Sequence, residues 1–375
     1  MKFVILNTDY PDFLQWLYSQ QPELEKRSYD EQMRVRNETL FGGADFYSYN
    51  LNQLGHEAYY IRANNEFMQK AWAREHGLRV SRDRRWKLRL RKRIVPWLSP
   101  VKERRWFYEI LAAQIEHYRP DVLLNGAMDG ISSRFLREIK PSVRLLAGMH
   151  AATRLADTDE WRCYDLVFSS FPPTLDWFRQ RGLPAELIRL GFEHRVLSHI
   201  ETEAATNYDI TFVGSFHNVH SSRLALFESL CARFPQIRIW GPKIDHIPAH
   251  SLIHNSYVGF AWGREMYQIL QNSKLTLNHH GDIGPYANNL RIYEGTGLGA
   301  LLITDWKENL GEMFQVDKEV VTYRNAEECA DRIQYYLSHN AEREAIARAG
   351  QQRTLREHTY FHRAQELAEV VRTYL

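Results

Sequence analysis

The sequence predicts an α/β protein made of two Rossmann-like domains, each a parallel sheet flanked by helices. Three observations predict it. Short apolar runs of strand length recur along the chain and are separated by helical patterns, the signature of βα units whose strands are buried on both faces. The alternation dissolves after Gly191 into the polar, weakly periodic residues 192–207 and then starts again at Asp209. The 375 residues also exceed what one hydrophobic core usually organises.

In chain order, residues 3–6 (F-V-I-L) give the first strand. Residues 45–54, closed by Gly55, read as a helix with its C-terminal stop, followed by a strand at 58–61. Further strands fall at 121–124, 143–148, 165–168 and 187–190, with helices at 107–118 and 132–140. These make an N-terminal domain, residues 1–195. The second series places strands at 209–214, 237–241, 274–278, 300–305 and 320–323 and helices at 223–234, 264–272 and 326–339, a C-terminal domain over 205–350. Amphipathic helices at about 341–357 and 361–375 close the chain, and there is no short repeat or low-complexity tract.

Hydrophobic content of 44% and charged content of 25% fit an ordinary globular enzyme. Cys163, Cys231 and Cys329 lie too far apart for a C-x-x-C metal or redox pattern, so a reducing cytoplasm is the expected setting. The apolar run before Asn7 and Asp9 is too brief for a secretory signal, and no stretch is long enough to span a membrane. The net charge of +2 is unevenly spread: between Arg74 and Arg105 stand 13 Lys/Arg against Glu75, Asp83 and Glu103, a local +10 that leaves −8 for the rest. The same basic insertion, about 72–106, carries Trp72, Trp86, Trp97 and Trp106. Such interleaving suits an anionic membrane surface or a polyanionic acceptor, and equally a solvated helical insertion whose tryptophans pack on the domain. Nucleic acid is not expected, since no binding motif accompanies the cluster.

The stretch 273–305 carries the most chemistry: an apolar strand, a polar loop with glycines, a helix start with Asn288, Asn289, Arg291 and Glu294, then Gly299 and a second strand ending at Asp305. A helix start offers unpaired amides and a positive dipole end to a diphosphate, and a carboxylate one turn further in can accept hydrogen bonds from a ribose. That outlines a nucleotide-sugar site.

The pattern of Ser273, Lys274, Leu277 and Asn278, then Asn289, Arg291, Tyr293 and Glu294, then Gly299, Ala300, Leu302, Ile303, Thr304 and Asp305 resembles the CgeB-like group of glycosyl transferases group 1 with the GT-B fold. Arg343, Ala347, Gly350, His358, Thr359, Tyr360 and Arg363 extend the resemblance over the C-terminal half. It implies two Rossmann-like domains facing a cleft, with the C-terminal helices of 351–375 returning to the first domain. It also implies a metal-independent, hexosyltransferase-type enzyme of envelope or surface glycan synthesis, with no cofactor beyond a nucleoside-diphosphate sugar and a glycan, lipid-linked or protein acceptor. The expected location is the cytoplasm, on the inner face of the membrane if the basic insertion binds there.

The donor-binding candidates are Gly214, Ser215, Arg223, Lys274, Asn278, His279, Asn289, Arg291 and Glu294. Gly214 and Ser215 follow the first strand of the second domain, where small residues let backbone approach phosphate, with Arg223 assisting. Arg291 suits a diphosphate and Glu294 the ribose. Lys274 has two readings, a phosphate contact or a complement to the dipole of the preceding helix. Asn278, His279 and His280 stand at a strand end, where open α/β sheets bind ligands. In the first domain Gly42 and Gly43 precede a helix, while His150 and Asp129 stand at strand ends as alternative bases for the acceptor hydroxyl. The acid that many retaining GT-B enzymes carry eight positions before the ribose Glu is replaced by Tyr286, with Asp282 the nearest carboxylate, so retention or inversion stays open. A catalytically inactive GT-B nucleotide- or glycan-binding module is the alternative. A nicotinamide dehydrogenase ranks last, because neither domain opens on G-x-G-x-x-G.

Overall fold

The computed structural model describes residues 1–81, 84–91, 95–102, 105–150, 160–201, 208–216 and 221–375. In chain order its strands are β1 (Lys2–Asn7), β2 (Glu57–Arg62), β3 (Arg84–Arg91), β4 (Val95–Lys102), β5 (Val122–Asn125), β6 (Leu145–His150), β7 (Leu166–Ser169) and β8 (Ala185–Leu187), then β9 (Tyr208–Val213), β10 (Ile237–Trp240), β11 (Tyr257–Gly259), β12 (Ser273–Asn278), β13 (Leu301–Asp305) and β14 (Val321–Tyr323). Two six-stranded sheets result, β2-β1-β5-β6-β7-β8 and β11-β10-β9-β12-β13-β14, with every pairing in them parallel. In register, Ile5 stands between Tyr60 and Leu124. The α/β reading with two parallel sheets therefore holds. In both sheets the strand order reverses beside the first strand, at β1/β5 and β9/β12, which opens a crevice at the carboxyl ends.

The strands are apolar throughout because helices cover both faces of each sheet. One hydrophobic cluster joins the two lobes, running from Phe3, Leu124 and Phe168 through Ile292, Leu302 and Phe314 to Tyr360, Leu367 and Val371. Separate clusters fill the outer faces of the first and second sheets. At roughly 1.5–3 kcal/mol for each fully buried large apolar side chain, the shared cluster is a strong adhesive between the lobes.

The return of the C-terminus matches the resemblance. The helix Asn340–Glu357 stays against the second sheet, and the chain then turns back to the first lobe. At the turn, Phe192 donates its amide to His358 O at 2.8 Å and Tyr360 donates to Phe192 O at 2.9 Å. The helix Tyr360–Tyr374, closed at its start by a Thr359–His362 capping box, lies on the helix Phe46–Gln53, with the Tyr360 ring 5.0 Å from Phe46 and 5.3 Å from Tyr47.

Some expectations shift. The strand expected at 187–190 is found at Ala185–Leu187, and the three-residue edge strand β11 was too short to show a period. The middle of the basic insertion is strand rather than helix, between the helices Glu66–Glu75 and Arg105–Tyr118: β3 and β4 pair antiparallel, Trp86 opposite Pro100 and Leu90 opposite Pro96. The R-R-W-K-L-R-L-R run alternates with period two, and two prolines in the partner disfavour a helix. Trp72 and Trp106 are core residues, so neither is a membrane anchor. The side chains of 82–104, Trp86 and Trp97 among them, lie outside the described residues. All three cysteines are buried and free, and among the described residues no helix is long and apolar enough to cross a membrane.

Beside the crossing, buried His358 receives Arg363 Nη2 at 3.1 Å on Nδ1 and bonds Met313 O through Nε2 at 2.9 Å. Burial pulls its pKa down to about 4. A histidine held neutral in the folded chain must take up a proton on acid unfolding, so its contribution is intact above about 6.5 and is lost as pH falls towards 4, up to about 3 kcal/mol. Thermal unfolding from pH 7 to pH 4 should therefore show a shallower acid decline for His358→Gln than for the parent protein, and parallel declines would refute the linkage.

Candidate active site

The second sheet brings the ends of β9, β12 and β13 together at its switch point. Arg223, buried near the start of the helix Ser221–Arg233, donates from Nη1 to Ser215 O and from Nη2 to His279 O, so one guanidinium staples the loop after β9 to the end of β12. Burial lowers its pKa to about 10, which leaves it charged at neutral pH. Two of its nitrogens hold backbone carbonyls, while its Nε is buried without an acceptor among the described residues.

Past β12, buried Asn278 donates to Thr304 Oγ1 at 2.9 Å and accepts from Asn289 Nδ2 at 2.8 Å, which ties the loop 281–290 to the sheet. The Asn289 Oδ1 is buried without a donor among the described residues. His279 bridges Tyr323 OH at 3.0 Å and Ser222 Oγ at 2.9 Å, and burial keeps its pKa below the ordinary value. His280 gives Asp305 Oδ1 both its backbone amide, at 2.9 Å, and its Nδ1, at 2.7 Å. Burial works against the Asp305 charge, yet these bonds and the charges of His280 and His279 hold its carboxyl well below the usual range. His279, Asp282, Asp305, Trp306, Lys307 and Arg324 line a cavity of about 270 Å³.

The short helix Arg291–Gly297 carries the central pair. Glu294 is 8% exposed and its Oε2 lies 2.9 Å from Arg291 Nη1. Burial raises the Glu294 pKa and Arg291 opposes that rise. Arg291 reaches Met266 Sδ with Nη2 at 3.4 Å, while its Nε and Nη1 find no acceptor in hydrogen-bond geometry among the described residues. The helix faces the first lobe: Ser170, Pro172 and Arg189 share a crevice with Asn288, Ile292 and Tyr293. Tyr267, within electrostatic reach of both Glu294 and Arg291, donates its hydroxyl to Leu40 O at 3.0 Å. Arg264 Nε likewise bonds Glu38 O at 2.7 Å, and a Cβ on Gly263 would stand 2.0 Å from Thr39 O, so only glycine permits this approach of the lobes. Gly42 and Gly43, with φ of 59° and 70°, follow directly.

Lys274 must be corrected. It sits at the amino end of β12, paired with Asp209 at 2.7 Å, and so lies at the opposite end of the sheet from Asn278. In the first lobe a cavity of about 620 Å³ opens at the ends of β1 and β5, lined by Asn7, Thr8, Asp9, Tyr10, Tyr108 and Gly130 among others. Asp129 is exposed beside Gly130. His150 ends β6 as expected, and it is buried with its ring edge-on to Phe178 at 6.4 Å. Asp282, the substitute carboxylate, accepts from the Ser222 amide and hydroxyl at the start of the helix Ser221–Arg233, while Tyr286 stands edge-on to Phe171 at 6.0 Å. Among the described residues, no three His, Cys, Asp or Glu are grouped to hold a metal. Tyr267, Tyr323 and Asp305 were not singled out as site residues; of the three only Asp305, closing the T-D end of β13, left a signal.

The whole architecture has solved counterparts. HepE of Anabaena, crystallised with UDP-glucose, superposes with a TM-score of 0.62 over 100% of both chains at 12% identity. The fold is GT-B. A glycosyltransferase from Rickettsia africae gives 0.61 at 12% identity over 100% of this chain and 98% of that one. The pneumococcal O-GlcNAc transferase GtfA, solved with UDP and GlcNAc, gives 0.57 at 9% identity over 100% and 99%. Residues 223–369, which contain nearly all of this GT-B protein's second-lobe site, match the family model described as glycosyl transferase-like. No curated protein matches the chain.

The Arg291–Glu294 pair makes a testable statement about charge. Arg291→Met leaves Glu294 buried with no counter-ion, a loss of about 3 kcal/mol at pH 7.5. Because the Glu294 pKa already lies above its unfolded value, acid protonates the lone carboxyl in the folded state and relieves the penalty. The melting temperature deficit of Arg291→Met should therefore shrink between pH 7.5 and pH 5, and an equal deficit at both would disprove the coupling.

Proposed function

We propose that this protein transfers a sugar from a nucleoside-diphosphate sugar to an acceptor hydroxyl. The observation that carries the reading is the half-buried Arg291, paired with Glu294 at 2.9 Å and keeping a buried Nε–H without an acceptor among the described residues, at the junction of two GT-B lobes. A buried donor without an acceptor costs about 1–3 kcal/mol and is retained where a ligand completes it. Arg291 neutralises the departing diphosphate, Glu294 accepts the ribose hydroxyls, and the backbone at Gly214 and Ser215 lies close to the phosphates. Asn289, with its free carbonyl oxygen, and His279 face the same ligand. The positive protein groups do the work of a cation, so the reaction is metal-independent.

The acceptor occupies the first-lobe cavity, where Asp129 is the better placed of the two candidate bases, since its neighbour Gly130 lines that space. UDP-hexoses are the donors to try first, because HepE and GtfA were solved with UDP-glucose and with UDP and GlcNAc. The resemblance of the motif to the CgeB-like group supports extending the proposal to cell-surface glycan synthesis in the cytoplasm, with a glycan, lipid-linked or protein acceptor and the basic segment 74–105 at an anionic inner membrane face.

Calorimetry on Glu294→Ala should show at least 10-fold weaker UDP binding with the melting transition intact, as expected for losing hydrogen bonds to a charged group. Unchanged affinity in the folded variant removes Glu294 from the site. Turnover of labelled UDP-hexoses, unaffected by a chelator, separates a metal-independent transferase from a binding module.

A further inference from the structure

Beneath the glycine loop lies a group of charged side chains that takes no part in the roles above. Arg36 and Arg62 are fully buried, and the Asp9 side chain between them is 2% exposed. Arg36 bonds Asp9 through Nε at 3.3 Å and also through Nη2, while its Nη1 donates to Phe41 O at 3.0 Å. Arg62 donates from Nη2 to Ala44 O, and its Nη1 stands 3.7 Å from Asp9 Oδ1. The Arg62 Nε and Nη1 have no hydrogen-bond acceptor among the described residues. Two guanidiniums thus share one carboxylate. Asp45, whose charge also acts on Arg62, shares Arg195 with buried Glu193, at 2.8 and 3.0 Å. Burial lowers the Arg62 pKa only to about 10, so Asp9, Arg36 and Arg62 together carry one positive charge at neutral pH, with the balancing carboxylate on the far side at Asp45 and Glu193.

The loop above bears the mark of these contacts. Leu40, Gly42 and Gly43 all have positive φ, at 57°, 59° and 70°, and Leu40 adopts it against its own steric preference. The arginines draw the Phe41 and Ala44 carbonyls inwards. Among the described residues the Gly42 and Gly43 amides have no acceptor, and a Cβ on Gly43 would meet only open space. Tyr267 fastens Leu40 to the lobe that carries Arg291 and Glu294.

We infer that Asp9, Arg36 and Arg62 are positioning residues for a nucleoside diphosphate, fixing the glycine loop with its amides outward and setting two guanidiniums directly behind it. The diphosphate is then held between this loop and Arg291. The three side chains do not touch the ligand; they act through the loop backbone and through their field, which a water-poor interior screens weakly. Asp9 also lines the acceptor cavity, so one cluster borders both halves of the cleft. This inference rests on the donor-site reading.

The test compares UDP with uridine by calorimetry on the full chain. Arg62→Met should weaken UDP at least 10-fold and leave uridine within about 2-fold, because only the diphosphate senses the cluster; a merely structural lesion would weaken both. Should Arg62→Met fail to fold, Asp9→Asn keeps the size and adds a unit of positive charge, and it should tighten UDP about 3-fold or more with uridine unchanged. UDP affinity unaltered in folded Arg62→Met, a parallel loss of uridine, or unaltered or weaker UDP binding by Asp9→Asn would overturn the inference. A parent protein that binds none of UDP, ADP or GDP would instead sink the donor-site reading itself.

Discussion

The arrangement depends on one backbone junction. Phe192, where the chain leaves the first lobe, is hydrogen-bonded on both sides by the segment His358–Tyr360, where the chain comes back. Two crossings locked together turn the carboxyl ends of both sheets towards the same seam, and the helix Tyr360–Tyr374 seals them with a shared apolar cluster. Loops at the carboxyl ends of parallel strands are where small polar residues collect, so opposing two such ends concentrates ligand-binding chemistry in one crevice. The close approach at Gly263, Arg264 and Tyr267 is the consequence.

Charge inside that seam is distributed unequally, and the inequality separates structural from ligand-directed side chains. Lys274 is paired with Asp209 and holds protein to protein. Arg223, Arg291 and Arg62 keep N–H groups without acceptors in a buried setting, Arg223 while two of its nitrogens hold carbonyls, and Asn289 keeps a carbonyl oxygen without a donor. Such groups cost stability in the empty protein. They surround the region where the glycine loop and the helix Arg291–Gly297 meet across Tyr267.

Much of the fold was legible locally. Apolar runs alternating with helical patterns, and a second series beginning at Asp209, suffice to set out two parallel sheets, because burial on both faces imposes a continuous apolar strand. The pairing of Arg291 with Glu294 was readable from their spacing on one helix. The direction of Lys274 was not: it is next to the site in sequence, but a strand separates its two ends in space, and β12 runs from Lys274 towards the crevice. His150 was legible as a strand end, and alternation along β6 brings its ring beside Phe178.

By itself the sequence determined the two-sheet architecture, the strand ends that form the crevice and the motif at Asn289, Arg291 and Glu294, because each is written in short-range periodicity or spacing. Tertiary structure alone decided where the charges go: Lys274 to Asp209, Arg223 between two loop carbonyls, and Asp9, Arg36 and Arg62 drawn from three separate elements to one point under the glycine loop. Electrostatic pairing depends on distance through space, and distance between remote segments is fixed only when the sheets close on each other.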